Sequence, residues 1–240
     1  MNDSIADSIK VLAFDVFGTV VDWRSSVIAE GEQLGKTKGL NVDWAAFADA
    51  WREIYHPSLD RVRTGALPWT KLDGLHRMSL EEILKKFKIA GLSEDEKNHL
   101  NRVWHRLKPW PDSVPGLQRL KTRFTITTLS NGNISLLTNM AKHAGLPWDC
   151  ILSAENVRHY KPDREVYLLV PALFDLKPDE VMMVAAHERD LQHAQKYGLR
   201  TAFVRRPLEH GPDKAAPIPA SEKYDFAAKD FLDLASQMRA

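Results

Sequence analysis

From Ile9 to Val16 the chain is almost continuously apolar and rich in branched residues, and it then closes on Gly18-Thr19. A short apolar run that ends on a turn signal reads as a buried strand delivering a loop. Four later runs have the same character: Phe124 to Leu129, Cys150 to Ser153, Val181 to Ala185 and Thr201 to Val204. Each adjoins a stretch with helical spacing. Ile134, Leu137, Met140, Ala141 and Ala144 share one helical face ending near Gly145, and Val166, Leu169, Val170 and Leu173 repeat the pattern after Lys161-Pro162. Strands alternating with helices predict an α/β fold, a doubly wound parallel sheet covered by helices.

Between the first run and Pro109 the pattern changes. Trp44, Phe47, Ala48, Trp51 and Ile54-Tyr55 form one helical stripe, and Leu72, Leu75, Ile83, Leu84 and Phe87 form another. Ser93-x-x-Glu96 is a capping box opening a further helix through Leu100, Val103, Trp104 and Leu107, before the Pro109-Trp110-Pro111 punctuation. A helical insertion of roughly eighty residues with no strand is several times longer than an ordinary loop, which predicts a helical cap inserted after the first strand. The expected division is residues 1–22 and 108–240 as core and 23–107 as cap. Pro207 to Ser221, with Gly211, Pro212, Pro217 and Pro219, reads as surface loop before a final helix around Asp230 to Met238.

Composition narrows the function classes. A chain of 240 residues with net charge +1 and no concentrated basic run has no electrostatic pull toward nucleic acid or an anionic membrane, so a small-molecule partner is favoured. No apolar run is long enough to cross a bilayer, and Met1 to Lys10 lacks the order of a secretory signal, so the expected location is cytoplasmic. The single cysteine, Cys150, cannot form an internal disulfide and fits a reducing compartment as a small buried side chain. The nine histidines are scattered without metal-ligand spacing, so no metal site is expected.

In a doubly wound sheet ligands bind beyond the carboxyl ends of the strands, which directs attention to the residues just after each run. The first supplies Asp15-Val16-Phe17-Gly18-Thr19, the second Ser130-Asn131-Gly132, the approach to the next helix Lys161-Pro162, and the fourth His187 and Asp190. Taken singly these are turn residues, helix caps or a solvated lysine. In this order they resemble the four motifs of the haloacid dehalogenase superfamily, across nearly the whole chain, with the helical insertion where that superfamily places its cap.

Members of that superfamily that transfer phosphate usually carry a second aspartate two residues after the nucleophile as general acid, and here that position is Phe17. A phenyl ring neither donates a proton nor helps draw magnesium, and an Asp15-Asp190 pair alone is a poor case for that metal. A halide leaves as a stable anion and needs no proton. The run Phe14 to Asp22, the Trp51-Arg52 pair and Lys161-Pro162-Asp163-Arg164-Glu165-Val166-Tyr167 resemble the type II, L-specific 2-haloacid dehalogenases.

The resemblance implies hydrolysis of short 2-haloalkanoic acids, haloacetates among them, to 2-hydroxy acids without metal or organic cofactor. Asp15 would displace the halide and form an ester that water then cleaves. Lys161 would neutralise charge around Asp15, and Thr19 and Ser130 would orient carboxylates. Arg52 and Asn131 would hold the halide, Tyr167 would support Lys161, and Asp190 would position or activate water. Phe17 and, as a further wall candidate after Pro68, Trp69 would line the pocket. A homodimer is the family's expected assembly. In those relatives serine and asparagine stand at the positions of Ala185 and His187, and an aromatic residue at that of Arg189, so His187 here would replace a hydrogen-bonding group or serve as a base. A phosphatase of the same fold and a binding protein that has lost turnover remain the alternatives.

Overall fold

The computed structural model describes residues 2–214 and 223–240. Its strands are, in chain order, β1 (Val11–Phe14), β2 (Val21–Asp22), β3 (Lys108–Pro109), β4 (Thr125–Ser130), β5 (Cys150–Ser153), β6 (Val181–Ala185), β7 (Arg200–Val204) and β8 (Phe226–Ala228). Six of them form one sheet in the order β5-β4-β1-β6-β7-β8, and every pairing in it is parallel. Parallel strands covered by helices on both faces have no wet side, which is why β1 and β6 are buried at every position. The chain steps outward from β1 through β4 to β5, then returns to build β6, β7 and β8 on the other side. The winding reverses at the β1–β6 boundary, and the crevice such a reversal opens is where Asp15 emerges.

The helices between β2 and β3 are Trp23–Lys38, Trp44–Glu53, Tyr55–Arg63, Leu72–Lys86 and Glu94–Asn101, followed by a 3-10 turn at Arg102–His105. Their shared core is aromatic: Phe47, Trp51 and Trp104 are buried, Trp51 lies edge-on to Trp104 at 5.3 Å, and its indole donates to Ser79 at 3.0 Å. The capping box expected at Ser93-x-x-Glu96 is present with both of its hydrogen bonds. β2 and β3 pair antiparallel, Val21 with Pro109 and Asp22 with Lys108, so the two crossings into and out of the helical segment are laced together. Around that lacing the Trp110 indole donates to the Gly18 carbonyl at 2.9 Å and Ser113 to the Val20 carbonyl at 2.6 Å. Arg206 donates to the Thr19 carbonyl at 2.7 Å and forks onto Asp112, both bonds at 2.8 Å.

All five expected sheet strands are present, Cys150–Ser153 and Val181–Ala185 with the expected ends and the other three shifted by a residue or two. The short ribbon and β8 were not foreseen, because two or three residues carry no periodicity and Ala227-Ala228 has no β signature. The helix expected after Lys161-Pro162 is two short ones, Arg164–Tyr167 and Leu169–Leu173. Pro171 has no amide to return to the Tyr167 carbonyl, so the ladder breaks there and Leu173 is left exposed. Ile134–Ala144 ends on Gly145 in the left-handed conformation as expected, although Ile134 itself faces outward and Leu136 takes its place in the core. The final helix is Phe231–Gln237. Of the proline-rich loop, Pro217, Pro219 and Ser221 lie outside the described residues. Among the described residues no helix is long and apolar enough to cross a membrane.

Candidate active site

Asp15 follows the last residue of β1 and stays tied to the sheet through its amide, which donates to the Val184 carbonyl at 3.0 Å. Its side chain is buried at the base of a cavity of about 440 Å³ lined by Phe17, Arg52, Tyr55, Asn131, Lys161, Tyr167, His187, Asp190 and Glu209 among others. That volume is within the range of small-ligand sites.

Four groups surround the carboxylate and its neighbour. Thr19 donates to Asp15 Oδ2 at 2.8 Å, and its own oxygen accepts the Ala186 amide at 3.0 Å. His187 Nδ1 is 3.0 Å from the same Oδ2. Lys161 Nζ stands between two carboxylates, 3.3 Å from Asp15 Oδ1 and 2.6 Å from Asp190 Oδ2. The Tyr167 hydroxyl donates to Asp190 Oδ1 at 2.6 Å. Burial by itself would push the Asp15 carboxyl up. Lys161, the hydrogen bond and charge of His187, and Thr19 outweigh it and hold the group well below the usual carboxylate range, so it is an anion. Burial likewise works against the Lys161 ammonium, but Asp190 and Asp15 raise it above an ordinary lysine.

A divalent cation bridging Asp15 and Asp190, as in metal-dependent relatives of the fold, does not fit these residues. The Lys161 ammonium already occupies the position between the two carboxylates, and Phe17 supplies no third oxygen. Among the described residues no group of three or more His, Cys, Asp or Glu side chains is arranged to hold a metal.

Arg52 reaches the cavity from the helix Trp44–Glu53. Its guanidinium lies 4.3 Å from the centre of the Tyr55 ring and 5.3 Å from that of Trp23, and its buried Nη1 has no hydrogen-bond partner among the described residues. A buried donor without an acceptor costs free energy, and Arg52 keeps this one at the cavity it lines. Asn131 accepts the Lys161 amide through Oδ1 at 2.9 Å and donates through Nδ2 to the Tyr55 hydroxyl at 3.1 Å, tying the loop after β4 to the helix Tyr55–Arg63. Phe17 is buried against Trp104, edge-on at 6.0 Å.

Two expected residues stand apart. The Ser130 hydroxyl accepts the Gly132 amide at 3.2 Å and bonds neither carboxylate, because the turn after β4 uses it to close on itself. Trp69 is not in the cavity wall; its ring packs at a tilt against Tyr160, centroids 4.8 Å apart. Cys150 is only half buried, donating to Thr127 at 3.2 Å, because β5 is an edge strand.

Sequence reasoning missed Glu209 and Tyr55. Glu209 is buried 22 residues beyond His187 and receives the other side of that ring: Nε2 lies 2.9 and 3.0 Å from its two oxygens. Trp23 Nε1 donates to it at 3.2 Å. Gly18, at φ +84°, makes room, since a Cβ there would lie 2.1 Å from Glu209 Oε1. Burial opposes charge on His187, but Glu209 and Asp15 prevail and push it up to about 10, while His187 draws Glu209 down to about 2 against its own burial. No local pattern flags a glutamate in a polar loop as buried; the Gly18-Thr19 turn was the only trace of it.

A buried carboxylate at a sheet's switch point, flanked by a lysine and facing a cavity that the inserted helices also line, is an arrangement open to nucleophilic hydrolysis. The haloacid dehalogenase-like hydrolase model matches residues 9–198, and the chain belongs to that family. Proteins similar to this chain across nearly its whole length include dehalogenases. A crystal structure of a defluorinating L-2-haloacid dehalogenase is 46% identical with a TM-score of 0.91, covering 97% of this chain and 96% of that one. A second L-2-haloacid dehalogenase structure is also 46% identical, with a TM-score of 0.92 and coverage of 96% and 99%. The (S)-2-haloacid dehalogenase 4A of Burkholderia cepacia is 27% identical over 238 residues, 94% of this chain and 98% of its own length. The haloacetate dehalogenase H-2 of Moraxella sp. (strain B) is 24% identical over 225 residues, 88% and 94% of the two chains.

Proposed function

We propose that the chain hydrolyses short L-2-haloalkanoic acids, haloacetates included, to 2-hydroxy acids through an ester on Asp15, with residues 23–107 acting as the cap over a core of 1–22 and 108–240. The observation that carries this reading is Phe17, buried at the cavity two residues after Asp15, where an acid would stand. The Lys161 ammonium favours an anionic nucleophile, and the phenyl ring offers no proton to an alkoxide leaving group. Halide needs none.

The first step forms a bond from Asp15 to C2 of the substrate while the carbon–halogen electron pair departs with the halide. Arg52, with its unpartnered Nη1, meets the departing anion, and Phe17 and Tyr55 supply the apolar and aromatic wall around it. Asn131 holds Tyr55 and the Lys161 backbone in register. Water then adds to the Asp15 carboxyl carbon and loses a proton to Asp190, which Tyr167 orients. Lys161 protonates the departing alkoxide and recovers a proton from Asp190, so the two groups end as they began. The hydroxyl oxygen of the product comes from Asp15, water supplies the replacement carboxyl oxygen, and the second water proton leaves Asp15 for solvent to restore the carboxylate. Ser130 and Trp69 have no place in this scheme. The lone thiol of Cys150 fits residence in the cytoplasm.

Incubation with chloro-, bromo- and fluoroacetate and both enantiomers of 2-chloropropionate, with and without chelator, tests the reading. We expect halide release from the L enantiomer and the haloacetates, unaffected by chelator, and a loss of about a thousandfold or more in Asp15→Asn. Halide release by that variant at the wild-type rate would refute it, as would chelator-sensitive turnover of an aryl phosphate in place of halide release.

A further inference from the structure

The protons around Asp15 can be assigned from hydrogen-bond partners. Thr19 accepts from the Ala186 amide, so its single hydroxyl proton goes to Asp15 Oδ2. Ionised carboxylates only accept hydrogen bonds. His187 faces one through each ring nitrogen, Asp15 through Nδ1 at 3.0 Å and Glu209 through Nε2 at 2.9 Å, so both nitrogens carry protons. Asp15 Oδ2 therefore receives two donors and its lone pairs are used. Oδ1 has a single, longer contact, 3.3 Å from Lys161. The two oxygens of the same carboxylate are chemically distinct.

We propose that Oδ1 is the attacking oxygen, that His187 Nδ1–H and the Thr19 hydroxyl form an oxyanion hole on Oδ2 for hydrolysis of the resulting ester, and that Glu209 is the positioning residue that keeps His187 doubly protonated. This rests on the dehalogenase reading above. When Oδ1 carries the substrate carbon, Oδ2 becomes the ester carbonyl. Water adding to the carboxyl carbon moves the carbonyl electron pair onto Oδ2, where donors already stand at 2.8 and 3.0 Å. The pair returns as the bond to Oδ1 breaks, and Oδ1 leaves as the alkoxide next to Lys161.

Glu209 matters most in this second half. Before reaction two anions hold the proton on His187; once Asp15 is esterified its charge is gone and Glu209 holds it alone. Trp23 fixes the glutamate and the bare Gly18 lets it approach. The imidazole keeps 32% of its side-chain surface open, so it is part of the cavity wall and can act on a bound ester.

The test is Glu209→Gln, which keeps an acceptor for Nε2 and removes the charge. With chloroacetate as probe, the expected result is a halide burst stoichiometric with enzyme, then turnover slowed by about 10- to 100-fold, with the Asp15 ester trapped by acid quench and seen by mass spectrometry. Glu209→Asp should recover part of the turnover, which loss of packing alone would not allow. His187→Asn, should Glu209→Gln fold poorly, should show the same burst and trapped ester. Unchanged turnover in Glu209→Gln, or a lost burst with no trapped ester, overturns the proposal. Absence of halide from the wild type overturns the dehalogenase reading instead, which separates the two failures.

Discussion

Replacing an acid by Phe17 two residues after Asp15 decides what the carboxylate can attack, and the charges beside it decide over which pH range it works. Asp15 is held below the ordinary carboxylate range, so its acid limit lies lower than that of a free aspartate. Burial works against the charge on His187, but Glu209 and Asp15 raise it to about 10, while burial and the neighbouring Arg52 and Arg189 charges hold His56, in the same cavity, below an ordinary imidazole. Turnover should therefore persist through neutral pH and fall as pH rises toward 10 and the imidazolium is lost; a pH profile of kcat checks this, and an alkaline limb near 6.5 would contradict it. Stability has the same sign: the contribution of protonated His187 is full below the unfolded imidazole value of about 6.5 and is lost as pH climbs through the folded value. Asp15, Thr19, Lys161, Tyr167, His187 and Asp190 were legible because strand ends and the start of a helix fix where they converge. Glu209 was not, because it comes from a loop whose path depends on packing against Trp23 and Gly18. Ser130 and Trp69 show the converse: their contacts here are to Gly132 and Tyr160, which the sequence order around the site does not reveal.

At the scale of elements, the helix Trp44–Glu53 couples stability to the site, since Trp51 packs into the aromatic core and the next residue, Arg52, reaches the cavity. Trp51→Ala removes a fully buried indole and leaves Ser79 without its donor, which should cost about 3–5 kcal/mol in chemical denaturation. Because Arg52 loses its support, halide release should fall more than the folded fraction does. A variant with wild-type stability would refute the packing assignment. The stripes of this helix and of Leu72–Lys86 were readable because each buries one face of a helix long enough to show a period of 3.6. β8 and the β2–β3 ribbon were not, since their pairing is set by partners distant in sequence and not by their own two or three residues. Pro171 could have warned of the break between Arg164–Tyr167 and Leu169–Leu173.

For the whole molecule, the helical segment is joined to the core at the β2–β3 pair, beside which Arg206 binds both Asp112 and the Thr19 carbonyl, and again across the cavity where Asn131 donates to Tyr55 and Asn133 to Asp73. The same short stretch that joins the two parts, Asp15 to Asp22, carries the nucleophile, the turn glycine and a donor to Oδ2. The residues that line the cavity and those that join the two parts are thus neighbours in the chain. The doubly wound order was legible because each buried strand leaves an apolar run, whereas the lacing of the neck depends on side chains far apart in sequence, Asp112 and Arg206 among them. The central claim is that Asp15, and not water, attacks the substrate. It is tested most directly by a single turnover in H2(18)O with enzyme in excess over chloroacetate. Attack by Asp15 yields unlabelled glycolate and heavy oxygen in the peptide containing Asp15; labelled glycolate from that first turnover, with no label in the protein, would show that water attacks instead.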